Sequence, residues 1–272
     1  MSSELWQDTY LPPGNKDQLW ELFHENSKIG RFSRGLSDQE VRLRMTKLHE
    51  SLDFVGYPLI KLPPPDAHFK LSLSEAITSR TSCRHLNPER LSLGKIATLL
   101  HYAYGINRSN SAATFPRPFR VVPSGGALYP LELFFYSSCI EENPPGMYHY
   151  SPEQNQLRLL STQEEMSRIE RATAYPELIR KASIIIFITA IFERSIFKYG
   201  DRGYRFILLE AGHVAQNLNL VSNGLNLGSI NIGGFFDHEI DDLLGLDGVT
   251  HSTIYIVAIG QRTKPTRSEP RA

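Results

Sequence analysis

The chain of 272 residues is poor in cysteine, in tryptophan and in net charge. Its two cysteines, Cys83 and Cys139, stand in no CxxC pair, which argues against a zinc ribbon or a thioredoxin-like redox motif. Lys plus Arg total 29 and Asp plus Glu total 29, so the formal charge is zero. That balance argues against a general binder of nucleic acid or of anionic membranes, although a small phosphate pocket needs only a few cations. No apolar run is long enough to span a bilayer: "ASIIIFITAIF" is about half of the roughly 20 residues required. The N-terminus has neither a basic n-region nor an apolar h-region. These absences predict a cytoplasmic protein in a reducing compartment. The histidines form no HExxH and no cluster at ligand spacing, so no metal is expected. There is also no GxSxG elbow, no GxGxxG after a strand and no GxxxxGK loop.

What remains is a globular composition, 41% hydrophobic and 21% charged, with no repeat and no low-complexity tract. Residues 1–70 read as a helical extension followed by a stiff linker around Pro63, Pro64 and Pro65. The main domain is expected over 71–264 and a polar tail over 265–272. Within the domain, Ser72 or Ser74 can cap a short helix ending near Arg80. "LSLGKIATLLHYAYG" has helical spacing and stops at Gly105. A strand is expected from Leu131 to Tyr136, and "GMYHYSPEQNQLRLL" reads as a hairpin. The β-branched run "ASIIIFITAIF" predicts a buried central strand. From Asp201, apolar residues at three- and four-residue spacing predict a long helix closing near Gly224, with His213 a hydrogen-bonded core histidine. Asp237 reads as the N-cap of a short helix, and "STIYIVAIG" as a last strand. Helices and strands interleave without a βαβ rhythm, which favours α+β.

Five stretches can carry chemistry, and each has a plainer alternative. In "RTSCR", Arg80, Ser82 and Arg84 alternate, so an extended segment puts two guanidinium forks and a hydroxyl on one side. The plain alternative is a solvated loop. "VVPSGGALYP" offers Pro123, Ser124, Gly125 and Gly126, where backbone N–H groups can approach a ligand, or simply a tight turn. Gly233 and Gly234 precede a helix start, whose bare donors can hold an electron-rich atom; alone, they are a turn. Arg262 and Lys264 follow the last strand, where such cations are usually solvated. In "KYGDR", Lys198 and Tyr199 are side by side. A neighbouring ammonium favours a phenolate and burial disfavours the ammonium, so the couple can take a proton from carbon near neutral pH. The alternative is an ordinary helix start, with Asp201 capping.

In this order, the stretches resemble the nitroreductase superfamily, and more narrowly its SagB-type dehydrogenases, the thiazoline/oxazoline oxidases of modified-peptide biosynthesis. "RTSCR" is similar to R-x-S-x-R. "PSGGALYPLELFF" and "KYGDRGYRFILLEAGHVAQNLNL" are the most specific matches, and "GGFFDHEIDDLLGLD" is a later one. The resemblance covers roughly Ser72 to Lys264. It implies an α+β fold with a central, mostly antiparallel sheet flanked by helices, and a homodimer with FMN at its interface. Arg80, Ser82 and Arg84 would hold the phosphate, ribitol and ring edge, with Arg262 and Lys264 reaching the phosphate. Pro123, Ser124, Gly125 and Gly126 would line the flavin ring from the partner subunit, and Gly233 and Gly234 would approach its N5. Lys198 and Tyr199 match the catalytic pair. "HVAQNLNLVSNGLNLGS" would form the dimer core. Asn226 stands where the family often has glycine, and Asn tolerates positive φ next best. "GVTHST" lacks an acidic residue often found before the last strand.

The function implied is an FMN-dependent dehydrogenase acting on an azoline or related amino-acid-derived unit. Its substrate would be a peptide or small molecule, presented where needed by a biosynthetic partner protein. Two other functions are open: a reductase of nitro, quinone or enone compounds using a nicotinamide donor, and a non-catalytic flavin-binding subunit whose residues 1–70 dock a partner.

Overall fold

A computed structural model of the chain describes residues 19–31, 35–48, 51–110 and 117–263. Strand alternation divides its core. In β5 (Leu131–Ser137) and β8 (Ile184–Ile191), every residue but the last of β8 is buried, so both faces are covered. Leu133 and Phe135 of β5, with Ile184, Ile186 and Ile188 of β8, join one apolar cluster. Phe134, Tyr136, Ile185 and Phe187 point the other way into a second cluster. A strand buried on both sides sits at the centre of a sheet with helices on each face.

The remaining sheet strands are β1 (Leu59–Lys61), β2 (Leu86–Asn87), β6 (Gly146–Ser151), β7 (Gln156–Ser161), β9 (Leu227–Ile232) and β10 (His251–Arg262). The order is β1-β7-β6-β5-β8-β10-β2, with β9 also on β10, and every strand pair is antiparallel. Gln261 pairs with Asn87 and with Leu227, so β2 continues β8's side of β10 while β9 takes the opposite side. A short ribbon, β3 (Ile106–Arg108) with β4 (Phe119–Arg120), stands apart. The expected α+β architecture, an antiparallel sheet flanked by helices, is the one observed.

The first cluster is roofed by two helices. Ser92 caps α4 (Leu93–Tyr104), whose Ile96, Leu99, Leu100 and Ala103 are fully buried. The long helix (Asp201–Gly224) buries Ile207, Ala211, Val214, Ala215 and Leu218 against the same cluster. Before it come α5 (Met166–Arg171), α6 (Pro176–Arg180) and α7 (Glu193–Tyr199), which makes the long helix α8. After β9, α9 (Asp237–Leu244) packs with α5 and α6 on the other face, through Ile240, Ile169 and Ile179. The short α3 (Leu73–Ser79) starts in a capping box: Ser72 accepts from Glu75 N, and Glu75 accepts from Ser72 N.

The N-terminal extension is tied to this body. Helices α1 (Leu19–Asn26) and α2 (Asp38–Met45) have no buried residue, but β1 adds a strand to the sheet by pairing with β7. A buried carboxylate anchors the segment before β1. Glu132 accepts from Arg194 at 2.6 Å, His149 at 2.7 Å, Ser51 Oγ at 3.2 Å and Leu52 N at 3.2 Å. Burial alone would raise its pKa, but Arg194 and His149 hold it down to about 2.

Two expectations about α8 are corrected. Asp201 does not cap it: the N-cap is Gly200, and Asp201 is the first helical residue. Gly200 sits at φ 55 and ψ −144, a conformation open essentially only to glycine, and it separates α8 from the unforeseen helix α7. His213 is exposed, on the side of α8 turned away from the core. Asp237 likewise is the first residue of α9 and Phe236 its N-cap. Asn226 has φ 60, as expected for a residue replacing glycine. Among the described residues, no helix is long and apolar enough to cross a membrane.

Candidate active site

The predicted site residues form two groups at opposite ends of α8. With 24 residues at about 1.5 Å rise, that helix is about 36 Å long, further than one mononucleotide reaches.

At its N-terminal end, α7 delivers Lys198 and Tyr199 onto the turn after β4. The turn residue Gly126 has φ +67. A Cβ built there would lie 2.7 Å from the Tyr199 hydroxyl and 2.9 Å from Lys198 Nζ. Both polar ends therefore converge over bare backbone, and a side chain there would have to push them aside. Lys198 Nζ lies 5.2 Å from the centroid of the Tyr199 ring, and both residues are half-buried. The turn is strained, because Ala127 (φ 52) and Tyr129 (φ 47) also have positive φ. Several contacts hold it. Tyr129 N donates to Ser124 Oγ at 3.0 Å, and Ala127 N to Ser124 O at 3.1 Å. Phe206 of α8 covers Gly125 and packs edge-on against Tyr199, with centroids 5.0 Å apart. Pro123, Ser124 and Gly126, with Asn107, Arg108 and Phe119, line a cavity of about 560 Å³.

Behind the turn lies a buried polar network. Tyr104 donates to Glu210 at 2.7 Å and accepts from Leu131 N at 3.1 Å. Arg120 stacks over the Tyr104 ring at 4.3 Å and pairs with Glu153 at 2.8 Å. Burial lifts the pKa of Glu210 to about 7, against opposing hydrogen bonds from Ser124 and Tyr104 and the charge of Arg120.

The cationic group gathers at the C-terminal end of α8. Ser82 bridges to Ser229 of β9, and Cys83 N donates to Ser229 O at 2.9 Å, so the segment after α3 runs beside β9. Cys83 is buried, whereas Ser82 and Arg84 on either side of it are exposed, as alternation requires. Ser82 and Arg84 line a cleft of about 690 Å³ with Asn87, Tyr175, Lys181 and Asn231. Arg80 is the C-cap of α3. Arg262 donates to Asn223 Oδ1 at 2.9 Å, and Asn223 donates to Ser79 Oγ at 2.8 Å, which ties β10, α8 and α3 together. Gly233 and Gly234 follow β9; Gly234 O accepts from Ala174 N at 2.8 Å, beside the Tyr175 wall of the cleft. Lys264 lies outside the described residues.

The donor set of this cleft suits a flavin mononucleotide. Arg84 and Lys181 supply positive charge and Ser82 a hydroxyl, while the buried Asn231 Oδ1 has no partner and is free to accept an N–H. Lys181, Asn231 and Glu210 were not foreseen. Glu210 had a usable signal, a lone carboxylate three residues after Ile207 on the apolar stripe of α8. The other two come from segments distant in sequence. Tyr204 and Arg205, in the first turns of α8, hold the N-terminal extension: Tyr204 packs edge-on against Phe23 of α1, with centroids 5.4 Å apart, and Arg205 donates to Ser27 Oγ, just past α1, at 2.8 Å.

The nitroreductase family profile matches residues 77–261, from inside α3 to the end of β10. The chain belongs to the nitroreductase family. This family shares flavin-based oxidoreductase chemistry. A provisionally named nitroreductase of Methanocaldococcus jannaschii, MJ1384, is 34% identical over 175 residues, covering 64% of this chain and 85% of that protein. The microcin B17-processing protein McbC of Escherichia coli is 31% identical over 176 residues, covering 63% of this chain and 62% of McbC. A nitroreductase-like structure from Anabaena variabilis superposes with a TM-score of 0.72 at 27% identity, covering 94% of this chain and 49% of its own. The chain thus spans under two thirds of McbC and about half of the Anabaena protein. Within this nitroreductase-family chain, the match takes in both groups of candidate residues apart from Arg262 and Lys264.

Proposed function

We propose that this chain is an FMN-dependent dehydrogenase of the SagB type, removing a proton and a hydride from an azoline or related amino-acid-derived unit during peptide or natural-product biosynthesis. The observation that carries this reading is the convergence of Lys198 Nζ and the Tyr199 hydroxyl over Gly126. A base placed on a bare backbone turn can reach a substrate carbon lying against that turn. The printed name of McbC, a peptide-processing protein, agrees with a peptide substrate.

The protein works as a homodimer whose two-fold axis brings the cleft of one subunit to the turn of its partner. The separation of the two groups along α8 supports this, as does an exposed apolar strip on that helix. Leu208 is 41% exposed and Leu209 61%, a liability on a free monomer but suited to a subunit contact. Arg84, Ser82 and Lys181 would hold the phosphate end of FMN, with Arg80 and Arg262 flanking them and Lys264 beyond, while Gly233 and Gly234 bring backbone close to the ring. When bound, FMN supplies a hydride acceptor at N5. Ser124, Gly125 and Gly126 present backbone to the substrate side of the ring. Lys198 and Tyr199 take the proton from the substrate carbon, and Phe206 keeps Tyr199 oriented for it.

The test is the double variant Lys198→Ala/Tyr199→Phe, assayed on a synthetic peptide carrying one thiazoline. Loss of turnover with flavin retained is expected. Full turnover in the double variant would refute the base assignment. Rapid flavin bleaching by NADH without thiazoline oxidation would instead indicate a reductase.

A further inference from the structure

The cavity against the Ser124–Gly126 turn holds a cation whose hydrogen bonds go nowhere in the fold. Three arginines lie in or beside the β3–β4 ribbon. Arg120 is buried, paired with Glu153 at 2.8 Å and stacked over Tyr104. Arg117 is buried and donates to Leu128 O at 3.4 Å. Arg108 is exposed and, among the described residues, makes no hydrogen bond and no ion pair. Its contact is with Phe119, its partner across the ribbon: Arg108 Cζ lies 4.4 Å from the ring centroid. That contact seats the charge over an aromatic face and leaves the five N–H donors of the guanidinium without acceptors.

The ribbon also presents this residue. Ile106 pairs with Arg120 and Arg108 with Phe119, so β3 advances two residues where β4 advances one. The extra residue, Asn107, makes a bulge. Successive side chains of a regular strand face opposite ways, and a bulge breaks that alternation. Asn107 and Arg108 accordingly both line the cavity. The hydroxyls of its lining already have partners: Ser124 Oγ accepts from Tyr129 N at 3.0 Å, and the Tyr129 hydroxyl accepts from Arg120 N at 3.0 Å. Val121, Val122, Pro123 and Ala127 supply apolar wall, and among the described residues no Asp or Glu lines the cavity. About 560 Å³ with apolar walls, one amide and one unpaired guanidinium is the size and make-up of a small-molecule site. The charge selects the ligand, because a guanidinium fork matches the two oxygens of a carboxylate. Gly126 fixes the location: it lines this cavity and also carries the Lys198 and Tyr199 contacts.

We propose that Arg108, seated on Phe119, is a specificity-determining residue that holds a carboxylate of the substrate in this cavity, while the apolar unit bearing it lies against the Gly126 turn. The carboxylate is the C-terminus of the peptide or an acidic side chain beside the azoline, and both offer the same planar pair of oxygens. That the ligand is the substrate rests on the proposed dehydrogenase function. The anion site itself stands on the ribbon and the cavity alone.

Binding and turnover separate the two. Calorimetry on the full chain with FMN added compares benzoylglycine with benzoylglycinamide, an apolar acid and its neutral counterpart, neither of which contains an azoline. Wild type is expected to bind the acid roughly tenfold more tightly than the amide, and Arg108→Gln should bring the acid to the level of the amide. Arg108→Lys keeps the charge without the fork and should recover part of the preference. FMN affinity should not change in either variant. Equal binding of acid and amide by wild type, binding of neither, or a preference that survives Arg108→Gln would overturn the proposal. So would an equal loss of both ligands in Arg108→Gln, the mark of a purely structural role. Turnover then locates the carboxylate, through kcat/KM on three thiazoline peptides: one ending in a free acid, one in an amide, and one in an amide with glutamate after the thiazoline. A higher value for the first assigns the C-terminus, and for the third the acidic side chain. Turnover at the same kcat/KM for all three would overturn the substrate role and leave the dehydrogenase reading intact. An acid preference lost in Arg108→Gln, in a protein that oxidises no thiazoline, would defeat the proposed function and leave the anion site standing.

Discussion

Replacing Glu210 by glutamine should change how stability depends on pH, by an amount the structure sets. The carboxyl has an ordinary pKa of 4.5 and is lifted by burial to about 7 in the folded chain. A raised folded pKa means that the folded state holds the proton more tightly. The contribution is therefore fully present below the unfolded value and is lost as pH rises through the folded one. The shift is roughly 2.5 units at about 1.4 kcal/mol each, so roughly 3 kcal/mol is lost between pH 4.5 and 7. Wild type alone would hide this. His251, which shares a hydrogen with Thr189 at 2.7 Å, is lowered by burial from 6.5 to about 4. A depressed histidine acts in the opposite sense: its contribution is present above 6.5 and is lost as pH falls towards 4. Over the shared window the two nearly cancel, and wild type should be close to flat. Glu210→Gln removes one arm, so the variant should gain about 3 kcal/mol between pH 4 and 6.5. Urea unfolding at fixed protein concentration, across pH 4 to 8, measures the difference between the two proteins. A difference that stays constant to within about 0.5 kcal/mol over that range would refute the assignment of a shifted carboxyl at Glu210.

Gly126→Ala should cost about 1–2 kcal/mol for the left-handed backbone and displace both polar ends above it, so thiazoline oxidation should fall far more than thermal stability while bound flavin is retained; equal turnover would show that the convergence is idle. Arg194→Ala removes the 2.6 Å partner of buried Glu132 and should destabilise by about 3–5 kcal/mol in urea; under 1 kcal/mol would mean that His149, Ser51 and Leu52 suffice for the carboxylate. Leu209→Asp places a charge on the exposed strip of α8 and should shift sedimentation from dimer to monomer, with flavin lost in parallel; an unchanged dimer would place the subunit contact elsewhere.

Local pattern carried much of the fold. The capping box at Ser72 and Glu75, the helix from Ser92 to Gly105, the buried run Ile184–Ile191 and the positive φ at Asn226 are each decided by a few neighbouring residues. What was not legible depended on distant partners. The short β9 is a strand because β10 lies beside it, and α7 is a separate helix because Gly200 takes a conformation that no spacing rule reports. His213 looked like core from its place in an apolar helix, yet the helix turns that residue outward. At the candidate site, Lys198, Tyr199 and the glycine turn were visible as separate motifs. Their meeting over Gly126 was not, because it is made by tertiary packing between α7 and the turn after β4. Asn231 and Lys181 carry no motif at all, and only the cleft between β9 and α6 brings them forward.

Flavin binding across two subunits is the centre of this account, and equilibrium dialysis of the full chain against FMN, read by visible absorbance, tests it most directly. One FMN per chain and two per dimer is the predicted result, falling at least tenfold in affinity with Arg84→Ala. A protein that stays colourless in excess FMN, or that binds flavin equally well as a monomer, would contradict it.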